Sequence, residues 1–443
     1  MKAVLMAGGR GSRLLPSDSD IPKPMVQVNG IPVLEREIKI LRQQGFKNII
    51  ITVGYLGNVI MDYFGDGSKK SPLTGVPFDV NIEYFNEKEP LGNAGALFRL
   101  RDSLLDEDNE DSFLLLNADA VFDVDFNRMI RYHREKNAKV TLFTHPNSHP
   151  YDSGLIVTDK NGLVKSWLTK EENRPVFYKN RVNAGLHVIS VKVLDDFVAQ
   201  NSKKEFPRKI DLDRMLLKPL VNRGMYAYDS PEYVKDMGTP DRYEAVCRDL
   251  KNGVVSAKNL HNKQKAIFLD RDGTINKYVG FLRTADEFEL LPGVAHAIKC
   301  INQSGYLCIV VTNQPVIARG EVSFSQLEEI HNKMETLLGI EGAYLDAIYF
   351  CPHHPDGGFE GEVPELKIEC ECRKPKPGML LKAARDFNID LDRSYMIGDN
   401  KSDIEAGKAA GCKTVFLSDE KTIDVGADYT FGDLGQAVEN LLK

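Results

Sequence analysis

The sequence predicts an α/β protein with two doubly wound domains in tandem. Two segments are typical of the opening strand of such a domain: residues 2–6, which precede a glycine-rich loop, and residues 266–269, which precede the motif DRDGT. Apolar, β-branched runs alternate with helical patterns after each of these segments. This alternation favours mostly parallel sheets with helices on both faces. At about 150 residues per domain, a chain of this length can hold two to four domains.

The predicted elements alternate along both halves of the chain. In the first half, we expect strands at residues 48–53, 113–117 and 139–143, and helices at residues 33–44, 126–136 and 242–251. In the second half, we expect strands at 307–312, 395–398 and 414–417, and helices at 326–338 and 379–387. Residues 253–263 are polar and lack an apolar period, which is typical of a linker. The predicted domains are therefore residues 1–252 and 264–443.

Composition and charge narrow the class of protein. The chain has 443 residues, of which 42% are hydrophobic and 27% charged, and its net charge is −7. Such an acidic protein without basic runs is a poor candidate for binding nucleic acid or a membrane surface. No stretch approaches the roughly 20 apolar residues of a membrane span, and the N-terminus becomes glycine-rich too early for a signal-peptide core. We expect a cytoplasmic enzyme that acts on small molecules.

The cysteines are unevenly placed. Of seven, only Cys247 precedes residue 265, and an odd count without a secretory signal argues against a disulfide framework. Cys300, Cys308 and Cys412 lie among apolar neighbours and are expected to be free and buried.

The first half carries loops suited to phosphate binding. In GGRGSRL, residues 8–14, glycines allow backbone amides to approach phosphate oxygens, and Arg13 adds positive charge. Lys23 stands between two prolines that restrict its backbone. The loop PLGNAGA at residues 90–96 is small enough to wrap a base. Asp119 directly follows an apolar strand, and Asp236 supplies a second carboxylate, so the two are candidate metal ligands.

In this order, the motifs GGRGSRL, PKP, LGNAG, NAD, NAG and DMGTP resemble those of the sugar-1-phosphate nucleotidyltransferases over about residues 1–250. The resemblance implies that a sugar 1-phosphate attacks the α-phosphate of a nucleoside triphosphate and releases pyrophosphate. It also implies site residues. These are Gly8, Gly9 and Gly11 for the nucleotide, Gly92 and Asn93 in the base loop, Arg13 for pyrophosphate, Lys23 for the α-phosphate, Asp119 and Asp236 for Mg²⁺, and Gly154, Lys170 and Asn183 on the sugar side. Two positions depart from the family pattern: Thr169 replaces the usual Glu, and Asn93 stands where Thr is frequent.

The second half carries two carboxylates just beyond its opening strand. Asp270 can attack phosphorus while Asp272 serves as general acid and then base. Three later motifs support this chemistry: VVTNQ at residues 310–314, RKPKP at 373–377, and MIGDNKSD at 396–403, whose Asp399 ends a strand.

These four motifs resemble those of the haloacid-dehalogenase superfamily across about residues 264–443. The resemblance implies an Asp270 nucleophile, an Asp272 acid/base and Mg²⁺ held by Asp270, Asp272 and Asp399. It further implies a set of substrate-binding residues: Thr312, Asn313, Gln314 and Lys374 for phosphate, Arg373 for the substrate, and Tyr278, Val279, Gly280 and Phe281 in the substrate-facing loop.

A candidate zinc site lies within this half. Cys351, His353, Cys370 and Cys372 form Cys-x-His-x₁₆-Cys-x-Cys, and three thiolates with one imidazole suit a closed, structural tetrahedral zinc site. His354 is an alternative ligand, and a metal-free thiol cluster is another reading. The loop between the pairs is polar and Gly-rich, so a bound metal would supply order that packing does not.

With this cysteine spacing, the second half resembles two groups of zinc-loop phosphatases, the heptose 1,7-bisphosphate 7-phosphatases and the histidinol-phosphatases. Pro315-Val316 departs from the pattern of the heptose enzymes. The resemblances imply two Rossmann-like domains and consecutive reactions. The phosphatase would remove the 7-phosphate of D-glycero-D-manno-heptose 1,7-bisphosphate, and the transferase would join the α-heptose 1-phosphate to GMP from GTP. A transferase for mannose 1-phosphate or another hexose 1-phosphate beside a different phosphatase is an alternative, as is a half that only binds. A homo-oligomer is compatible with the sequence.

Overall fold

A computed structural model describes residues 1–9, 14, 19–105, 111–201, 207–418 and 424–443. The chain divides into two compact units. The first unit comprises Met1–Thr144, Ile156–Trp167 and Asn183–Ser256. The second comprises His145–Leu155, Leu168–Val182 and Ala257–Lys443.

A nine-stranded mixed sheet forms the centre of the first unit in the described part of the chain. The strands of this sheet are β1 Ala3–Met6, β4 Asn48–Val53, β5 Asn81–Asn86, β6 Ser112–Asn117, β8 Val140–His145, β9 Leu155–Thr158, β10 Val164–Leu168, β11 Val182–Ser190 and β12 Met225–Asp229. Two short antiparallel pairs lie outside it: β2 Gln27–Val28 with β3 Ile31–Pro32, and β7 Ala120–Asp123 with β13 Tyr233–Asp236. The helices are α1 Val33–Gln43, α2 Gly57–Phe64, α3 Gly95–Leu104, α4 Phe126–Glu135, α5 Lys192–Asn201, α6 Pro240–Lys251 and α7 Val254–Ala257.

The register of this sheet places the loops of interest on one edge. Strand β1 lies between β4 and β6 and is parallel to both, with Met6 opposite Thr52 and Asn117. The strands are apolar on both faces because helices cover both sides, and two buried layers result. The glycine-rich loop after β1 and the segment after β6 therefore emerge at the same carboxyl edge.

The second unit is built on a six-stranded parallel sheet in the order β16-β15-β14-β17-β18-β19. The strands are β14 Lys265–Leu269, β15 Tyr306–Asn313, β16 Ala347–Cys351, β17 Tyr395–Gly398, β18 Lys413–Leu417 and β19 Tyr429–Phe431. The helices are α8 Val294–Asn302, α9 Phe324–Ile340, α10 Gly378–Phe387, α11 Lys401–Ala410 and α12 Leu434–Leu441. Both faces of the sheet are buried. The α/β class with two doubly wound sheets is as the sequence predicts.

Most predicted elements are present within one or two residues of their expected bounds. Strands β4 and β17 occupy the predicted positions, and α1 ends at Gln43. The predicted linker is more ordered than its composition suggests: it contains α7, and Val255, Lys258 and Leu260 are buried. These buried positions include a charged side chain and have no regular spacing, so they give no periodic apolar signal in the sequence.

The second unit also takes in residues 145–155 and 168–182, which the sequence assigns to the first domain. Arg181 forms a buried ion pair with Glu335 of α9, with 3.1 Å between Nη1 and Oε1, and Tyr178 N donates to Thr336 Oγ1 at 2.9 Å. These contacts join positions far apart in sequence, and composition does not reveal them. The predicted domain boundaries stay a prediction.

No helix in the described ranges is both long and apolar enough to cross a membrane.

Candidate active sites

A cleft of about 560 Å³ opens at the carboxyl edge of the second unit's sheet. Asp270 directly follows β14, Thr312 lies near the end of β15, and Asp399 directly follows β17. These three strands are neighbours and parallel, so their ends deliver the three side chains to one place. Gly273 has φ +86°, and a side chain there would collide with the Asp399 carboxylate, which explains the glycine in DRDGT.

Three carboxylates converge beside one lysine in this cleft. Oxygens of Asp270, Asp399 and Asp403 lie within 4.8 Å of one another, and Lys374 Nζ is 2.7 Å from Asp270 Oδ1 and 2.6 Å from Asp403 Oδ1. Burial and, to a smaller extent, the other carboxylates raise the pKa values of Asp270 and Asp399 to about 6. One cation among three acids leaves an excess of negative charge, which a divalent cation would offset. The cluster could therefore hold a metal ion.

Asp272 lies outside that group, although the sequence predicts it as a third magnesium ligand. Its carboxylate accepts hydrogen bonds from Arg271 Nη2 at 2.8 and 2.9 Å, from Asn276 Nδ2 at 3.1 Å and from Gln314 Nε2 at 2.9 Å. Arg271 is fully buried and also donates to His331 of α9 at 3.2 Å. The carboxylate of Asp272 is thus held by donors, and Asp403 takes its place among the converging acids.

The predicted phosphate-binding residues surround Asp270, with one difference in detail. Asn313 uses its side-chain amide on the backbone of Lys374, accepting from its N–H and donating to its carbonyl, both at 3.0 Å. Asn313 therefore positions Lys374. Thr312 Oγ1 accepts from Gln314 Nε2 at 2.9 Å.

The mouth of this cleft is formed by the remaining predicted residues. Tyr278, Gly280, Phe281 and Arg373 line it, whereas Val279 is exposed and does not. Sequence reasoning missed Asp403, which is fully buried. The sequence feature that could have identified it is its position in the first turn of α11, four residues beyond the strand-end Asp399.

The predicted zinc ligands lie together beside this cleft. Ligand atoms of Cys351, His353, Cys370 and Cys372 all lie within 4.8 Å of one another, with Sγ–Sγ distances of 3.0 to 3.5 Å. A tetrahedral zinc with 2.3 Å bonds to sulfur has edges of about 3.8 Å, so the thiols are near the spacing that such an ion requires. His354 lies outside the group, and its Nδ1 accepts from the Asp356 amide at 3.3 Å. This cluster could hold a metal ion.

The first unit has a cleft of about 520 Å³ at the edge formed by β1 and β6. The predicted residues that line it are Gly8, Gly9, Lys23, Gly92, Asn93 and Asp119. Gly11 and Arg13 lie outside the described residues. Asn93 Oδ1 accepts from the amide of Leu212 at 2.7 Å, so part of its role is to hold the base loop in place.

Both predicted magnesium ligands have cationic neighbours, although Asp119 lines the cleft and Asp236 is not among its lining residues. Lys23 Nζ lies 2.6 Å from Asp119 Oδ2, and Arg242 Nη1 lies 2.9 Å from Asp236 Oδ2. Burial acts to raise the pKa of Asp236, but hydrogen bonds from the Gly238 amide and Arg242 outweigh it and lower the pKa overall. The charged form of Asp236, which a metal ion would need, is consequently favoured.

A further acid lies beneath this cleft. Glu37 of α1 is 1% exposed, and neither of its carboxylate oxygens has a hydrogen-bond partner among the described residues. Burial, and then the charge of Asp119, raise its pKa well above its usual range. The sequence signal for it is a Glu on the apolar face of α1, between Leu34 and Leu41.

The predicted sugar-side residues are divided between the units. Asn183 belongs to the first unit, where its Oδ1 lies 3.1 Å from Nε2 of the buried His187. Gly154 and Lys170 belong to the second unit, and Lys170 Nζ lies 3.1 Å from Asp152 Oδ1 at an exposed position.

Together, the two units define the class of protein. Strand-end carboxylates with a buried lysine on a parallel sheet are the arrangement of a phosphoryl-transferring hydrolase. A glycine loop with a lysine and a strand-end acid suits a nucleotide-dependent transferase. Family models agree: the nucleotidyl transferase model matches residues 2–253, and the HAD-hydrolase-like model matches residues 371–428.

Curated relatives resemble the phosphatase half. The D-glycero-beta-D-manno-heptose-1,7-bisphosphate 7-phosphatase of Haemophilus ducreyi is 44% identical over 155 residues, which is 35% of this chain and 82% of the relative. The protein of the same name from Escherichia coli K12 is 41% identical over 186 residues, covering 40% of this chain and 95% of the relative. The chain therefore belongs to the nucleotidyl transferase family and to the family of these 7-phosphatases, and it is a bifunctional enzyme.

A solved structure also resembles the chain. HddC from Yersinia pseudotuberculosis is 24% identical, with a TM-score of 0.45 and coverage of 56% of this chain and 99% of HddC.

Proposed function

We propose that the enzyme catalyses two consecutive steps of nucleotide-activated heptose synthesis. The second unit removes the 7-phosphate of D-glycero-D-manno-heptose 1,7-bisphosphate. The first unit then transfers GMP from GTP to D-glycero-α-D-manno-heptose 1-phosphate and releases pyrophosphate. One observation carries the proposal: a 7-phosphatase and a nucleotidyl transferase occupy one chain, and the product of the former is the substrate type of the latter.

In the phosphatase, Asp270 attacks the 7-phosphorus, and the bond from phosphorus to the sugar oxygen breaks. Asp272 gives its proton to that oxygen, and the Arg271, Asn276 and Gln314 hydrogen bonds fix its direction. Asp272 next takes a proton from the water that opens the aspartyl phosphate. Lys374, positioned by Asn313, lies against Asp270 and can stabilise the charge on the phosphoryl oxygens.

The metal ions are part of the proposal. Mg²⁺, held by Asp270, Asp399 and Asp403, would neutralise charge between the nucleophile and the phosphate. Zn²⁺, held by Cys351, His353, Cys370 and Cys372, would fix the loop that ends at Arg373. Arg373 Nη1 donates to the His353 carbonyl at 3.3 Å, so the cluster and a substrate-binding cation are directly connected.

In the transferase, an oxygen of the sugar 1-phosphate attacks the α-phosphorus of GTP, and the bond to the β-phosphate breaks. Lys23 would bind the α-phosphate and Arg13 the leaving pyrophosphate, while Gly8, Gly9 and Gly11 admit the phosphates to the backbone. Mg²⁺, held by Asp119 and Asp236, would offset the developing charge. Such a transfer depends on positioning and electrostatics, which this set of residues supplies. We also propose that the enzyme is cytoplasmic and that its partners are small molecules. The net charge of −7 supports this assignment.

The test is a screen of four nucleoside triphosphates against heptose and hexose 1-phosphates, with pyrophosphate release as the readout. Phosphate release from both anomers of the heptose 1,7-bisphosphate is measured in parallel, because the relatives' names specify the β-anomer. We expect GTP with α-heptose 1-phosphate to react fastest. Asp119→Asn should abolish this reaction and leave phosphate release intact. Asp123→Asn, at the far end of β7, is the matched control. Preference for mannose 1-phosphate would refute the transferase assignment.

A further inference from the structure

Arg319 lies between two aromatic rings at the rim of the phosphatase cleft. Its guanidinium carbon is 4.2 Å from the ring centre of Phe281 and 4.5 Å from that of Phe359. Phe281 lines the cleft that holds Asp270. Phe359 belongs to the segment between the Cys351/His353 and Cys370/Cys372 pairs.

Within the described part of the chain, the Arg319 guanidinium donates few hydrogen bonds. No described residue accepts from its buried Nε. A half-buried guanidinium is therefore held chiefly by two π-faces, and a flat cation is the side chain that can stack on both faces at once.

Neighbouring contacts fix the two rings relative to Arg319. On one side, the Val363 amide donates to the Ala318 carbonyl at 2.9 Å, and Gly320, with φ +73°, approaches Gly361 so closely that a side chain would collide with its carbonyl. The Phe359 amide donates to Glu362 at 3.1 Å, which holds its turn. These contacts anchor the Phe359 side of the stack to the loop after β15.

On the other side, the loop that carries Phe281 is attached to the same segment. Arg283 forms an ion pair with Glu321, with 2.6 Å between Nη2 and Oε2, and Arg283 Nη1 donates to the Phe281 carbonyl at 3.2 Å. Both rings are therefore joined to residues 318–321, and Arg319 is the side chain that bridges them.

We propose that Arg319 is a positioning residue for substrate specificity in the phosphatase. By stacking on Phe281 and Phe359, it holds Phe281 at the mouth of the cleft, where the sugar part of the substrate must pass. Arg319 acts on binding of the sugar rather than on the phosphoryl centre around Asp270. This inference rests on the proposed function, since it concerns recognition of the sugar bisphosphate.

The proposal predicts a change in KM with little change in kcat. Arg319→Met removes the stacked cation, and Phe359→Leu removes one of its two faces. Because a cation–π contact contributes about 1–2 kcal/mol when partly desolvated, each variant should raise KM for heptose 1,7-bisphosphate about 5- to 30-fold. The double variant should be no worse than either single variant, since both disrupt one stack. Phe359→Tyr keeps the ring and should restore the wild-type KM.

Inorganic phosphate separates the positioning role from general damage. It occupies only the phosphoryl centre, so its inhibition constant should stay within twofold of wild type in every variant. Lys382→Met is the matched control, because it removes an exposed cation from the ring of Tyr349, 5.5 Å away, elsewhere in the same unit. If Arg319→Met fails to fold, Phe359→Leu and Phe359→Tyr carry the test.

The outcomes are distinct. A raised KM with an unchanged phosphate inhibition constant supports the positioning role. An unchanged KM, or an inhibition constant that rises in parallel with KM, overturns it. A wild-type chain that hydrolyses no heptose bisphosphate overturns the proposed function, and this inference with it.

Discussion

Charge balance around Asp270 is the feature that most constrains the chemistry at the residue scale. Lys374 forms ion pairs with both Asp270 and Asp403, so one cation serves a group of three acids that also includes Asp399. The excess negative charge favours a divalent cation. Asp272 is held by its donors outside this group of acids, and we assign the proton transfer to it. Each acid therefore has a different task because each has different neighbours.

Two substitutions test that division of tasks. Asp270→Asn removes the nucleophile and should abolish phosphate release. Asp272→Asn keeps the size and shape of the side chain but not the proton transfer, so turnover should fall about 10²–10⁴-fold, the usual scale for an acid/base group. The rate of phosphate release gives the readout, single-turnover hydrolysis in ¹⁸O-water follows the aspartyl phosphate, and a beryllium fluoride complex on Asp270, which mimics that intermediate, identifies the nucleophile. Similar residual rates in both variants would be inconsistent with the assignment.

His187 makes the stability of the first unit dependent on pH. Burial lowers its pKa to about 4, below the ordinary value of 6.5. The folded state therefore favours the neutral ring. Its stabilising contribution is complete above pH 6.5 and is lost as the pH falls toward 4, by at most about 3 kcal/mol.

The measurement uses the chain's single tryptophan. Trp167 is buried in the first unit, so its fluorescence during urea unfolding reports on that unit. We expect His187→Gln to flatten the loss of stability between pH 6.5 and 4 while keeping a donor toward Asn183. The exposed His261→Gln is the control. If the free energy of unfolding changes equally with pH in the wild type and in both variants, this account is contradicted.

Much of the site at residue scale was readable from the sequence, and the exceptions have physical causes. Asp270 and Asp399 directly follow strands, where the apolar pattern and the motif coincide, and Lys374 belongs to the RKPKP motif. Glu37 was missed because a lone acid in an apolar helix face carries no motif, and only the fold brings it near Asp119. The interaction of Asn313 with the Lys374 backbone depends on a contact 61 residues away in sequence.

At the scale of elements, strands and helices follow from the sequence pattern more directly than the loops do. Strand and helix positions follow from apolar periodicity, and the capping boxes Ser323/Gln326 and Asn400/Asp403 begin α9 and α11. In α11 the capping acid is Asp403 itself, so one side chain both starts the helix and contacts Lys374. For the cysteine-bearing loop we propose a different source of order, which is a metal ion bound by Cys351, His353, Cys370 and Cys372.

The zinc loop gives a prediction at this scale. Purified protein should contain about one zinc per chain. Cys372→Ser should remove the zinc and lower phosphatase activity by disordering the adjacent Arg373 and Lys374, while pyrophosphate release by the first unit stays unchanged. Metal analysis and both activity assays check this, with Cys300→Ser of α8 as the matched control. A zinc-free wild-type protein with full phosphatase activity would disprove it.

The buried Arg181–Glu335 ion pair gives a second prediction at the scale of elements. Both side chains are almost completely buried, so removing one partner leaves an uncompensated charge and should cost about 3–5 kcal/mol. We expect Arg181→Met and Glu335→Met to lower the urea midpoint for loss of phosphatase activity. The double variant should recover most of the loss. Equal or greater loss in the double variant would show that the pair does not act as a unit.

At the scale of the whole molecule, two folds of the same class carry complementary chemistry. In the proposed function, one site generates a free 7-hydroxyl by removing phosphate, and the other activates the 1-phosphate with a nucleotide. Sequence patterns predicted both folds, because each has an apolar opening strand and a distinctive loop. They did not predict that residues 168–182 would belong to the second unit, since that grouping depends on long-range contacts such as Tyr178 with Thr336.

The coupled reaction tests the central claim most directly. The full chain is incubated with heptose 1,7-bisphosphate, GTP and Mg²⁺, and phosphate, pyrophosphate and GDP-heptose are quantified together. We predict equal amounts of all three from the wild-type enzyme. Asp270→Asn should form none of them unless heptose 1-phosphate is supplied, which should restore GDP-heptose and pyrophosphate alone. Phosphate release from either anomer without any nucleotide-activated heptose would contradict the account.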